Sequence, residues 1–161
     1  MYKKILTKEE ALQKLKHFCG YQERCHREVQ EKLYSLGVRK IDHDEILANL
    51  IEENYLNEER FAIQFAGGRY RIKNWGRKKI MYALREKQVN DYCIKKALQQ
   101  IDETEYEEKI TELARKRYDS LKAEQHLVRK KKTIDYLLLK GYELPLVTQA
   151  VNKLIEKKQK S

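Results

Sequence analysis

Apolar residues recur along this chain at spacings of three and four, the period of an α-helix with one buried face, and the pattern predicts helix almost everywhere. Ala11, Leu12, Leu15, Phe18 and Cys19 mark the first such face. Thr7 followed by Glu10 gives that helix a capping-box start, and Gly20 offers it a stop. A second helix is expected over residues 24–36, with Val29, Leu33 and Leu36 inward and Gly37 supplying the left-handed residue just past its end. A third is expected from Asp42, whose capping-box partner is Glu45, with Ile46, Leu47, Leu50 and Ile51 on its apolar face. Three short helices over about 50 residues bury too little to stand alone in comfort, so neighbours of the same kind are expected.

The neighbours are visible as weak internal repeats. Shifted by 51 residues, Arg27, Val29, Leu33 and Val38 fall on Lys78, Ile80, Leu84 and Val89. Shifted by 104, Arg27, Leu33, Gly37 and Val38 fall on Lys131, Leu137, Gly141 and Tyr142. Each unit closes with a helix of similar pattern, inward at Ile46 and Leu50, at Ile94, Ala97 and Leu98, or at Val147, Ala150 and Val151. Pro145 suits an early position in the last of these. The expected fold is therefore all-α: three tandem three-helix repeats over residues 1–56, 57–103 and 104–161.

Composition supports that picture: of 161 residues 37% are charged, only one is Pro and six are Gly, and the mean hydropathy is −0.85. Such a chain suits several small helical cores in series better than one thick globule. Residues 1–6 carry charge with no apolar stretch of a targeting signal behind it, and no apolar run approaches a membrane span; residues 136–139 are among the longest. Cys19, Cys25 and Cys93 are odd in number and lack paired spacing, so free thiols and a cytoplasmic location are expected.

Charge adds more when divided along the chain. The first 56 residues hold ten Lys/Arg and ten Asp/Glu, whereas residues 69–96 hold ten against two and residues 115–134 eight against two. Between them, residues 97–114 hold one against six. Two basic stretches around an acidic one suit a phosphate-facing surface, although charged helices also carry local imbalance simply for solubility. The repeat register places a basic cluster at the start of each middle helix: Arg24, His26 and Arg27; Arg77, Lys78 and Lys79; Arg129, Lys130, Lys131 and Lys132. Cations there oppose the helix dipole at a cost of a few tenths of a kcal/mol each, up to about 1. A phosphate or a partner's carboxylate seated on free N–H groups would relieve that conflict; the alternative is that these side chains point into water.

Candidate chemistry is sparse. His17, Cys19, Cys25 and His26 lie within ten residues, yet the spacing aims them apart and favours packing over zinc. Asp42, His43, Asp44 and Glu45 suggest first-turn acids rather than a nuclease metal site. No GxxxxGK loop and no Ser/His/Asp or Cys/His constellation is present, so neither catalysis nor a cofactor is expected. Of the aromatics, Tyr70, Trp75 and Tyr82 interleave with the basic run, Phe61 and Phe65 read as packing anchors, and Trp75 beside Gly76 is the better candidate for exposure. Gly67 and Gly68 within a helical pattern suggest a bend or a close approach.

The stretch Leu56-Asn57-Glu58-Glu59-Arg60-Phe61-Ala62, with Phe65 after it, resembles the L-D-D-x-R-F-A-x-x-F signature of the RecX proteins, regulators of the bacterial recombinase RecA. Asn57 and Glu58 replace the usual pair of Asp and keep an N-cap and a first-turn acid. Arg69, Arg71, Gly76, Ile80, Leu84 and Val89 are similar to the family's basic helix end, glycine and following helix, with Gln88 in place of that helix's closing glycine. Ala11-Leu12, Glu28-Val29, Lys32-Leu33 and Gly37 look like its opening pattern.

The resemblance implies that these all-α three-helix repeats form an elongated, curved right-handed or crescent-like array, which binds the RecA–single-stranded-DNA filament and inhibits its ATPase, strand-exchange and co-protease activities. A monomer is the default. Arg69, Arg71, Lys73, Arg77, Lys78 and Lys79 are the residues expected to meet acidic recombinase surface, DNA phosphate or both, with Arg27 and the residues 129–132 cluster at equivalent repeat positions. Two rivals are a helix-turn-helix-like DNA-binding protein and a helical-repeat scaffold for an acidic protein partner.

Overall fold

The computed structural model describes residues 5–160, and every regular element among them is an α-helix. Nine helices follow in order: α1 (Lys8–Tyr21), α2 (His26–Ser35), α3 (Lys40–Glu52), α4 (Glu58–Lys73), α5 (Arg77–Glu86), α6 (Asp91–Gln99), α7 (Glu103–Ser120), α8 (His126–Leu139) and α9 (Leu144–Lys160). No helix is long and apolar enough to cross a membrane, again among the described residues. The expectation about a targeting segment falls on residues 1–6, of which 1–4 lie outside the described residues.

The chain divides into two compact units. Unit 1 takes the residues through Phe65 together with Leu84–Ala97, and unit 2 takes Ala66–Ala83 with Leu98–Ser161. Helices α4 and α5 are each shared between them along the chain.

In unit 1, α1 packs on α2 and α3 around Ala11, Leu15, Val29, Leu33, Ile46 and Leu50, each fully buried. Burying a leucine of this kind stabilises by roughly 2 kcal/mol. Thr7 caps α1 by accepting the Glu10 N–H at 3.1 Å, and Asn57 does the same for Arg60 at the head of α4 (2.9 Å). In unit 2, α7 packs on α8 and α9 around Tyr106, Ile110, Ala114, Leu137, Val147 and Val151. Asp102 caps α7 through the Glu105 N–H at 2.9 Å.

The three-part repeat is written in the backbone. Gly37, Gln88 and Gly141, one position in the shifted registers, all take positive φ, at 73°, 61° and 99°. Each closes the helix before it with the same pair of bonds. Gly37 N–H donates to Tyr34 and Val38 N–H to Leu33; Gln88 to Arg85 and Val89 to Leu84; Gly141 to Leu138 and Tyr142 to Leu137. This is the pattern of a Schellman end, in which a left-handed residue lets two N–H groups satisfy the last carbonyls.

Several local expectations shift. The second helix begins at His26, leaving Arg24 free to fold over Phe18. The third begins at Lys40, because the Asp42 N–H already bonds Arg39 C=O (2.9 Å), so Asp42 sits inside the first turn rather than capping it. Ile51, expected inward, is 47% exposed. Helix α1 runs past Gly20 to Tyr21, and α4 continues unbroken through Gly67 and Gly68.

Candidate functional site

The sequence treats its basic residues as one class, but the structure separates them into cations held inside the fold and cations left on its surface. Arg77 is the clearest of the first kind. Its Nε donates to Glu143 (2.8 Å), one terminal nitrogen to Glu103 (2.8 Å) and the other to Glu143 (2.5 Å), and the guanidinium lies 4.1 Å from the Tyr106 ring centroid. Burial opposes its charge, but the bonds to Glu103 and Glu143 outweigh that and raise its pKa further above its ordinary value. Part of the acidic segment of residues 97–114 is thereby matched within unit 2.

The start of α5 is likewise closed from within. The N–H groups of Gly76 and Lys78 donate to the carbonyls of Lys140 and Gly141 at 2.7 and 3.0 Å, and the Arg77 N–H donates to the Tyr106 hydroxyl at 3.1 Å. The positive end of one helix thus meets the negative end of another, α8, which removes the dipole conflict without an outside anion. At the head of α2 a capping box between Cys25 and Glu28 has the same effect (Cys25 N–H to Glu28, 3.1 Å). The expectation of free N–H groups awaiting a phosphate therefore does not hold at the start of α5, and at the start of α2 the Glu28 carboxylate already supplies negative charge from within the fold.

The remaining candidates divide in the same way. Arg27 pairs with Glu31 (3.1 Å) and donates to the Glu86 carbonyl. Arg24 lies 3.7 Å from the Phe18 ring centroid and His26 3.2 Å from Glu58. Arg129 donates to the Tyr118 carbonyl (2.8 Å) and covers its ring at 3.6 Å; Lys131 pairs with Asp135 and Lys132 with Glu124. Lys130 is half-buried and has no carboxylate partner among the described residues. The signature residues serve the fold. Arg60 donates to Glu23 (2.5 Å) and to both oxygens of Asn54 (3.1 Å each), Leu56 and Ala62 are buried, and Phe61 and Phe65 pack with centroids 5.8 Å apart.

What remains is a compact set around the end of α4 in unit 2. Arg71, Lys73 and Lys78 are exposed and have no carboxylate partner among the described residues. Asn74, at φ 59°, turns the chain so that the Trp75 N–H returns to Arg69 C=O (3.1 Å). The half-buried indole of Trp75 then has the Arg69 guanidinium 5.5 Å and the Lys79 ammonium 4.7 Å from its centroid. Gly67 provides the close approach that its sequence suggested: a side chain there would meet the Arg71 guanidinium at 2.6 Å.

Two further cations join this set that sequence reasoning missed. Lys140 donates to the Lys73 carbonyl at 3.3 Å. Lys109 donates to the Tyr70 carbonyl (2.8 Å), and burial holds its pKa below the ordinary value, opposed by Glu105 and Glu112 and reinforced by Arg71. Only Lys140 carried a signal, its place just before the repeat's Gly141. Nearby in unit 2 the rings of Tyr70, Tyr106 and Tyr142 pack in a tilted series, with centroids 6.0 and 5.3 Å apart. No group of His, Cys, Asp or Glu among the described residues has the arrangement of a metal site.

Comparison with known proteins gives a consistent result. Family models of RecX match twice, as its second three-helix domain over residues 57–98 and its third over residues 104–151. The chain is 27% identical to the regulatory protein RecX of Oceanobacillus iheyensis, over 86% of this chain and 51% of that one. It is 30% identical to that of Clostridium perfringens (80% and 60%) and 28% identical to that of Prosthecochloris aestuarii (90% and 93%). The chain thus spans about half to three fifths of the first two relatives and nearly all of the third. The crystal structure of RecX from Lactobacillus salivarius is similar in fold, with a TM-score of 0.84 over 91% of this chain and 96% of that one at 23% identity.

Proposed function

We infer from one premise, that this chain belongs to the RecX family of regulatory proteins, that it binds the RecA–single-stranded-DNA filament and inhibits its ATPase, strand-exchange and co-protease activities. The observation that carries the reading is the separation just described. Arg27, Arg77, Arg129, Lys131 and Lys132 are tied to carboxylates or carbonyls of the fold, while Arg71, Lys73 and Lys78 stand exposed, without a carboxylate partner among the described residues, near the cation-flanked Trp75. An exposed cation set without internal partners suits phosphate or an acidic protein surface, and an indole among cations suits an unpaired base. The binding residues proposed are therefore Arg69, Arg71, Lys73, Lys78 and Lys79, with Lys140 added. Arg77 is placed among the residues that hold unit 2 together. The protein acts in the cytoplasm as a monomer and needs no cofactor.

The test is ATP hydrolysis by the cognate recombinase on single-stranded DNA, titrated with this protein at two salt concentrations. The variant carrying Arg71→Glu, Lys73→Glu and Lys78→Glu is expected to need roughly tenfold more protein for half-inhibition and to lose about two units of salt slope, each phosphate contact contributing about 0.7. Its helical circular dichroism should be unchanged, since none of the three side chains has a hydrogen bond or ion pair among the described residues. Undiminished inhibition by a correctly folded variant would remove the basic stretch from the mechanism.

A further inference from the structure

In unit 1 the helices α1 and α2 leave a groove of about 530 Å³ between them. Phe18, Tyr21 and Leu36 supply its apolar lining, and Lys14, Arg24 and Lys32 supply its charge, with no carboxylate among the residues that line it. Several other cations of the unit, by contrast, are matched to carboxylates. Lys8 pairs with Glu45, Lys16 with Glu53 and Arg60 with Glu23, each at 2.5 or 2.6 Å. Lys14, Arg24 and Lys32 have no such partner among the described residues. Arg24 is also held in place: its Nε donates to the Phe18 carbonyl at 3.1 Å, which orients the guanidinium and leaves its terminal nitrogens without a hydrogen bond among the described residues. Lys32 lies 5.5 Å from the same ring.

We propose that this groove is a docking site for a short acidic segment of a partner protein, one apolar side chain of which enters against Phe18 and Leu36 while flanking carboxylates meet Lys14, Arg24 and Lys32. The size is that of a side-chain pocket rather than a flat contact, and an apolar anchor ringed by charge is a common division of labour between affinity and selectivity. A peptide suits the groove better than nucleic acid because its three cations gather around an apolar pocket, and Arg24, 3.7 Å from the centroid, already occupies one face of the Phe18 ring. The site is in unit 1 and uses none of the residues of the basic stretch in unit 2, so its failure and the failure of the filament reading are separable.

The experiment is fluorescence anisotropy of the full chain with a short labelled peptide of Asp and Glu carrying a single central Phe. Three control probes are used: the same peptide with Ala for Phe, a Ser/Gln peptide with Phe, and a labelled oligothymidylate. Saturable binding of the first peptide is expected, at least about fivefold tighter than either control peptide and weakened about threefold or more when salt rises past the screening range. The double variant Lys14→Glu, Lys32→Glu should abolish it with circular dichroism unchanged, and Leu36→Ser should weaken it without touching a charge. No binding of the acidic peptide, binding indifferent to the Phe, or binding that survives both variants would overturn the proposal. So would oligothymidylate that binds more tightly and loses its affinity in the same variants.

Discussion

At Gly37 the left-handed turn that ends α2 stands in open space, and a side chain built there would meet nothing within 4 Å. At Gly141 the equivalent turn after α8 lies hard against Lys79, and a side chain would overlap that residue's backbone nitrogen at 2.5 Å. Gly76 faces the same junction from the other side and would overlap Gly141 and Tyr142. The two regions share a backbone motif and differ in what is built on it. In unit 1 the turn only ends a helix, above an aliphatic core. In unit 2 it also delivers the Lys140 and Gly141 carbonyls to the head of α5 and adjoins packed tyrosines and a paired arginine. A repeat can therefore be conserved in geometry while one copy is recruited to hold polar groups in place.

The chain carries separate reporters for the two regions. Its single tryptophan, Trp75, is in unit 2, whereas Cys19, Cys25 and Cys93 are all buried in unit 1, where burial pushes the first two thiols up to about 11. The largest effect is expected from Gly141→Ala. A φ of 99° strains any residue with a side chain and the overlap adds to it, so a loss of at least about 3 kcal/mol should appear in the Trp75 denaturation midpoint. Gly37→Ala, with the conformational penalty alone, should cost about 1 kcal/mol. Equal losses at the two glycines would break the comparison.

Arg77→Ala comes next. It leaves Glu143 and the Tyr106 hydroxyl facing each other in a partly buried site with no cation, and the guanidinium it removes is only 24% exposed. A fully buried pair broken in this way costs about 3–5 kcal/mol, and partial exposure lowers the expectation to about 2–3. Arg60→Ala in unit 1 removes a more exposed residue, 38% against 24%, with one carboxylate and one asparagine as partners. About 1–2 kcal/mol is expected there, read as faster reaction of the cysteines with a thiol reagent at mild denaturant. A larger effect at Arg60 than at Arg77 would reverse the ranking of the two networks.

Much of this architecture is legible in the sequence because its rules are local. Thr7 and Asn57 act as caps where their spacing said they would, and Gly37 and Gly141 take positive φ where the repeat placed them. The start of α3 was misplaced because Arg39 and Asp42 compete for the same first turn, and propensity favours the acid while the backbone bond favours Arg39. The candidate site was less legible. Arg77, Lys78 and Lys79 are adjacent and chemically alike in sequence, yet α5 turns Arg77 towards Glu143, 66 residues away, and leaves Lys78 outside. Pairing at that distance leaves no periodic trace, and for the same reason neither Lys109 nor Lys140 is seen to approach the end of α4.

The smallest effect is the most direct test of the shared turn. Gln88 occupies in unit 1 the place that Gly37 and Gly141 hold elsewhere, with φ at 61°, a conformation that costs a residue with a side chain roughly 1 kcal/mol or more relative to glycine. The bonds that define the turn, Gln88 N–H to Arg85 and Val89 N–H to Leu84, are nevertheless made at 2.9 and 3.1 Å, so the strain is carried while the motif is kept. Gln88 is exposed and its side chain makes no bond among the described residues that would be lost on substitution. Gln88→Gly should then stabilise unit 1 by about 0.5–1 kcal/mol, net of the added flexibility of the unfolded chain. The gain should appear as slower thiol reaction at Cys93, five residues on. A destabilising Gln88→Gly would mean that the left-handed turn after α5 is held by something other than backbone geometry, and the equivalence of the three turns would fail at its middle copy.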